Sequence, residues 1–243
     1  MAAPRERLDV LLVQRGLAPS RQLASALIRA GQVLVNDMVS DKPGTRIRSD
    51  AAVRIRGEVL RYVGRGGLKL EGALDTFGVD PTGHTCADFG ASTGGFTDCL
   101  LQRGAAKVFA IDVGYGQLAW KLRQDPRVVV MERTNARHLT ALPEPPSLIV
   151  GDLSFISLKL ILPAVQQVAA SDAEAVLLIK PQFELGPGQA KGGVVKDPVL
   201  RQSAITEVCA AAEALGATVL GTVASSLPGA KKGNVEELLH LRL

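Results

Sequence analysis

The side chains able to do chemistry stand at the ends of apolar runs. Asp88 closes the short run Thr85-Cys86-Ala87 and opens a glycine-rich stretch, ADFGASTGGFTDCL at 87–100. Within it Gly90, Gly94 and Gly95 precede Phe96, Leu100 and Leu101, whose spacing puts them on one helical face. Asp112 ends a second run, Lys107–Ile111, Asp152 follows Ser147–Val150, and Lys180 follows Ala175–Ile179. Lys69 and Glu236 lie outside these runs, near the two ends of the same region. Strand, glycine turn and helix together make the nucleoside- or phosphate-binding corner of a doubly wound α/β fold. The glycine spacing does not fit the GxGxxG of dinucleotide sites. A carboxylate at the first turn repels a pyrophosphate but suits a cationic, amino-acid-like group, and one at the end of the second strand can hold a ribose diol. The pair of acids therefore points to S-adenosylmethionine as the expected cofactor. An ordinary α/β turn with incidental acids is the alternative.

Positioning these groups takes several elements. Gly66–Val79 reads as an amphipathic helix with Leu68, Leu74 and Phe77 apolar and Lys69 off that stripe, where a lone lysine is usually a surface residue. Ligands bind at the carboxyl ends of strands in open α/β sheets, which sets Asp152 opposite Asp88 across one cleft. A third strand, Arg127–Met131, leads to Asn135, placed by topology beside an adenine edge. Lys180 ends so apolar a run that solvent is an unfavourable place for it, a strand-capping salt bridge being the plain alternative. The Gly/Lys loop at 186–195 is suited to covering substrate. Asp197-Pro198 opens a long helix to Leu215, a strand follows at Ala217–Ala224, and Lys231-Lys232-Gly233-Asn234 leads to a last strand begun near Glu236.

The 243 residues allow one domain of common size and a small one, and a 47% hydrophobic fraction supports a packed core. Cys86, Cys99 and Cys209 fall at no metal or redox spacing, which fits buried thiols in a reducing cytoplasm and no metal site. The start, MAAPRERLDV, meets charge before any apolar stretch, and the most apolar region is broken by Asp152 and Lys159, so neither a signal peptide nor a membrane span is expected. The net charge of +4 is unevenly distributed: residues 1–66 hold 12 Lys/Arg against 6 Asp/Glu, and the remainder 16 against 18. A basic leader on a near-neutral catalytic region suggests a nucleic-acid tether, with a solvated basic surface as the alternative.

In that leader Leu8, Leu11 and Leu12 mark one helix stopped at Gly16, and Ser20 caps a second carrying Leu23, Leu27 and Ile28. Val33–Val35, a turn at Asn36-Asp37, and runs at Thr45–Arg48 and Val53–Arg56 add a small sheet. Arg7, Arg15, Arg21 and Arg29 could make one basic face on the helix pair. No aromatic precedes Tyr62, so phosphate or shape contact is expected rather than base stacking. RLDVLLVQRGLAPSRQLASALIRAGQVLVND resembles the S4 RNA-binding module over roughly the first 60 residues. The expected organisation is an α+β S4 (αL-type) domain at 1–60, a connector at 57–64 and a catalytic domain at 65–243.

YVGRGGLKLEGAL, ADFGASTGGFTDCLLQRGA, AIDVGYGQLAW, VVVMERTNAR, DLSFISL, KPQFE and GNVEELL together resemble the haemolysin-like (TlyA-type) family of rRNA cytidine 2′-O-methyltransferases. That family belongs with the FtsJ-like, class I (Rossmann-like) S-adenosylmethionine-dependent methyltransferases. The resemblance implies a Lys-Asp-Lys-Glu tetrad at Lys69, Asp152, Lys180 and Glu236. Lys180 would activate the ribose 2′-hydroxyl, Asp152 orient it, and Lys69 and Glu236 hold the ribose. A lysine base has a reference pKa of about 10.4, which burial and a second cation would lower. The resemblance implies cofactor contacts at Asp88, Gly90, Ser92, Gly94, Gly95, Phe96, Asp112 and Asn135. Some members extend beyond the last strand and modify both subunits' rRNA; this chain ends soon after Glu236, implying the shorter form and 23S rRNA. Rival readings are a base methyltransferase, a non-catalytic RNA-binding protein and a haemolysin. DLSF at the fourth strand lacks the Pro-Pro-aromatic run of amino methylation, and no cysteine ends a catalytic strand as C5 methylation requires.

Overall fold

Near-continuous apolar runs belong to strands buried on both faces, and such strands need helices on either side. The computed structural model, which describes residues 4–56, 61–186, 189–229 and 234–243, has this architecture in the second of two compact units, 1–60 and 61–243. Part of the expected connector (57–60), part of the Gly/Lys loop (187–188), and Lys231, Lys232 and Gly233 lie outside the described residues.

The first unit runs β1 (Arg5–Arg7), α1 (Leu8–Gln14), α2 (Arg21–Arg29), β2 (Val33–Val35), β3 (Met38–Val39), β4 (Arg46–Arg48) and β5 (Val53–Ile55). Ser20 caps α2, its hydroxyl accepting from the Leu23 amide at 3.2 Å, as its place before the apolar repeat predicts. Asn36 and Asp37 both adopt positive φ (50° and 65°), the requirement of a two-residue hairpin turn joining β2 to β3. Leu8, Leu12, Ala24, Leu27, Ile28 and Val33 form the core. The small sheet expected from sequence is two sheets: β3-β2-β5, and a separate β1–β4 ribbon.

The second unit runs α3 (Gly66–Phe77), β6 (Thr85–Phe89), α4 (Gly95–Gln102), β7 (Lys107–Ile111), α5 (Trp120–Arg123), β8 (Val128–Met131), β9 (Leu148–Gly151), α6 (Leu162–Val168), β10 (Glu174–Ile179), α7 (Pro181–Glu184), α8 (Pro198–Ala214), β11 (Thr218–Ala224) and β12 (Glu237–Arg242). The seven strands are ordered β11-β12-β10-β9-β6-β7-β8, and β12 runs antiparallel to both neighbours. Period-2 alternation splits each central strand between two cores. Cys86, Val108, Val150 and Val176 meet α3 and α4 on one face; Ala87, Phe89, Phe109 and Ile149 meet α6 and α8 on the other. From β6 the chain moves outward through β7 and β8, then returns to β9 on the other side. The crevice beyond the carboxyl ends of β6 and β9 is thus the switch point at which such sheets bind ligands.

Candidate active site

At the end of β6, Gly90 takes φ +87°, and a Cβ there would come within 3.1 Å of the Asp152 carbonyl oxygen. Gly94 takes φ +95°, and its Cβ would stand 2.2 Å from Leu122 Cδ1, so both positions require glycine. Between them Ser92 takes the left-handed conformation (φ 49°) and donates its amide to Asp112 Oδ2 at 2.8 Å. Asp112 Oδ1 accepts from the Gly114 amide at 2.7 Å. The two amides fix the carboxylate while leaving each oxygen a second lone pair, the geometry a vicinal diol needs.

A cleft of about 490 Å³ opens beside this turn. Its lining includes Gly90, Ser92, Gly95 and Phe96 from the turn and all four side chains Lys69, Asp152, Lys180 and Glu236. They arrive on separate elements: Lys69 from the first turns of α3, Asp152 just after β9, Lys180 at the end of β10, and Glu236 immediately before β12. Lys180 Nζ lies 2.5 Å from Asp152 Oδ1 and donates to Ser154 Oγ at 2.7 Å. Lys69 Nζ pairs with Glu236 Oε2, and both side chains are buried. Two lysine–carboxylate pairs therefore share one cavity, each charge balanced as burial demands. A Cβ at Gly229 would fall 2.6 Å from Glu236 Oε1, so that glycine makes room for the carboxylate.

Lys69, which the resemblance places in the tetrad, is only 7% exposed and turns into the cleft, unlike the usual lone helix lysine. Asp88 does not face the cleft but is fully enclosed, and its Oδ2 accepts from the Thr97 amide (2.9 Å) and hydroxyl (2.6 Å) in the first turn of α4. Burial pushes its pKa up to about 7, against the lowering effect of those bonds, and its Oδ1 has no hydrogen-bond partner among the described residues. Asn135 is exposed and caps the turn after β8, accepting from the Arg137 amide at 3.1 Å; like Gly94 and Asp112 it is not on the cleft lining.

Sequence reading passed over Ser154, Glu184 and an aromatic pair. Glu184 accepts from the Leu158 amide (2.7 Å) and Ser157 hydroxyl (2.6 Å), tying the loop after β9 to α7. Phe155 and Phe183 lie on the lining with ring centroids 5.3 Å apart, and Phe155 is 84% exposed with φ 66°. Phe155 and Ser154 stand within three residues of Asp152, which is the signal that could have found them.

In the first unit the four arginines do not make one face. Arg7 and Arg21 converge on Asp9, a buried carboxylate held down to about 2, chiefly by its bonds from Arg7. Arg15 instead donates to the Ser49 and Ala51 carbonyls, and Arg29 ends α2.

The strand order with its reversed β12 and the glycine cradle at the switch point define a class I methyltransferase fold. A structure of an S-adenosylmethionine-dependent methyltransferase from Listeria monocytogenes shares it, with TM-score 0.56 at 14% identity, over 73% of this chain and 96% of that one. The chain belongs to the FtsJ-like methyltransferase family, whose model matches residues 62–243, and the S4 domain model matches residues 6–53. It is 52% identical to the 16S/23S rRNA (cytidine-2′-O)-methyltransferase TlyA of Mycobacterium tuberculosis over 99% of this chain and 91% of that protein. A solved structure from Streptococcus thermophilus named as a hemolysin matches with TM-score 0.76 and 43% identity, over 99% of this chain and 89% of that one.

Proposed function

We propose that the protein methylates the ribose 2′-hydroxyl of a cytidine in ribosomal RNA, using S-adenosylmethionine. The observation that carries this reading is the convergence of two lysine–carboxylate pairs, one buried and one half-buried, on the cleft beside the glycine cradle. The mycobacterial relative's name, which carries both 16S and 23S rRNA, supports ribosomal RNA as the substrate, and 23S rRNA is the part of that reading proposed for this chain. Ribosomal RNA as substrate also supports work in the cytoplasm. Among the described residues no helix is long and apolar enough to cross a membrane.

The residues present fit the cofactor. Asp112, fixed by two amides, would hold the ribose diol, and the cradle at Gly90, Ser92, Gly94 and Gly95 admits close approach of a ligand to main chain. Phe96 supplies an apolar wall. Asp88 would act from behind by fixing α4, and Asn135 by shaping the turn after β8. When bound, S-adenosylmethionine supplies a methyl group on an electrophilic sulfonium.

A hydroxyl is a weak nucleophile, so the protein must align it and remove its proton. Lys180 Nζ takes that proton, held in place by Asp152 Oδ1 and Ser154 Oγ. Lys69 and Glu236 hold the neighbouring ribose oxygens. The exposed Phe155 ring, packed at a tilt against Phe183, offers a face to a base taken out of its stack. Arg7, Arg15, Arg21 and Arg29 would meet phosphates.

Lys180→Ala tests the assignment. Single-turnover transfer should fall by about 10²–10⁴-fold, with cofactor affinity and melting temperature near those of the wild type. A deficit under tenfold, or a loss explained by unfolding, would leave Lys180 a strand cap.

A further inference from the structure

The residues after β10, Lys180 to Glu184, meet the loop after β9 at three points. Lys180 Nζ reaches Asp152 Oδ1 at 2.5 Å and Ser154 Oγ at 2.7 Å. Phe183 packs against Phe155, with ring centroids 5.3 Å apart. Glu184 closes the row, accepting from the Ser157 hydroxyl at 2.6 Å and the Leu158 amide at 2.7 Å. The first two points lie on the cleft lining; Glu184, Ser157 and Leu158 stand behind it.

Two features of this row are costly. Phe155 takes φ 66°, which a bulky side chain adopts only where its surroundings compel it. Glu184 is an acid only 8% exposed with no ion-pair partner among the described residues, the nearby Lys159 being taken by Glu207 at 2.8 Å. Burial pushes its pKa up, against the lowering effect of its two hydrogen bonds. An apolar side chain would fill that place without the desolvation cost. What the acid adds is a grip on the end of a loop whose beginning carries Asp152.

We propose that Glu184 is a positioning residue for the acceptor side of the site, fixing the loop at 152–158 so that Asp152 and Ser154 meet Lys180 and Phe155 stays at the cleft. The inference rests on the reading of Lys180 as the group that takes the hydroxyl proton. Glu184 touches neither reactant, and the glycine cradle stands two strands away, at the end of β6. Loss of the clamp should therefore slow transfer and leave cofactor binding intact.

The test compares the wild type, Glu184→Ala and Glu184→Gln in single-turnover transfer to 23S rRNA. Calorimetry with S-adenosylmethionine gives the affinity and the fraction of competent sites in each preparation. Glutamine keeps an oxygen for the Leu158 amide and can donate to the Ser157 hydroxyl. The alanine variant should lose about 10- to 100-fold in rate per cofactor site, the cost of small misplacement, and glutamine should restore most of it. An unchanged rate per site overturns the proposal, as does a loss that glutamine does not restore. If the alanine variant is too unstable to measure, Ser157→Ala decides: it removes one bond, and a smaller loss per site supports the clamp while none overturns it. A wild type that transfers no methyl group would sink the proposed function, and amide exchange at 153–156 then decides the clamp alone. Faster exchange in Glu184→Ala upholds it; equal exchange overturns it.

Discussion

Lys180 and Asp88 are both buried groups at strand ends, and they solve burial in opposite ways. Lys180 has partners, lying within 2.5 Å of Asp152 Oδ1 and bonded to Ser154. Asp88 has only the two donors of Thr97, no cation beside it, and a pKa pushed up to about 7 by burial. The folded protein therefore binds a proton there that the unfolded chain has released above pH ~4. Stability from this group is complete below pH ~4 and is lost as pH rises through 7, with a slope approaching about 1.4 kcal/mol per pH unit. Asp88→Asn keeps an oxygen for both Thr97 donors and removes the titration. Denaturant unfolding between pH 4 and 7 should show a flatter dependence in that variant than in the wild type; equal slopes would mean that Asp88 is ionised throughout.

At the scale of elements, the parallel strands were legible because strands buried on both faces must be apolar throughout. Their carboxyl ends located Asp112, Asp152 and Lys180 without knowledge of a single contact. The helix α8 was legible from Asp197-Pro198, whose carboxylate accepts from the Val199 amide at 2.8 Å. β1 was not: Arg5-Glu6-Arg7 has no apolar pattern and is a strand only because β4 pairs with it. Nor was the enclosure of Asp88, which depends on Thr97 returning to it from α4 nine residues later. The helical pattern alone did not separate Lys69 from a surface lysine, because its partner, Glu236, lies 167 residues away; only the resemblance placed it in the site. The two-amide clamp on Asp112 joins the loops after β6 and β7, so the proposed cofactor site draws on both. Asp112→Ala should weaken S-adenosylmethionine binding by about 10- to 100-fold, the loss of charged hydrogen bonds to a diol. Calorimetry reads it; unchanged affinity would remove Asp112 from the site.

Across the whole molecule, charge and chemistry are divided between the two units. The arginines that sequence placed on one RNA-facing surface serve two ends, since Arg7 and Arg21 also neutralise the buried Asp9. Replacing both with alanine should therefore unfold the first unit more readily as well as weaken RNA binding. The melting temperature of that unit should drop on the order of 5 °C or more, and an unchanged value would assign the pair to RNA alone. The central claim is transfer of a methyl group to a ribose oxygen of ribosomal RNA, and its most direct test is product mapping. The protein is incubated with S-adenosylmethionine carrying a labelled methyl group and each unmethylated ribosomal subunit, and the labelled nucleotide is located. Label is expected on the 2′-oxygen of a cytidine in 23S rRNA and absent with Lys180→Ala; label on a base, or none on either subunit, would contradict ribose methylation.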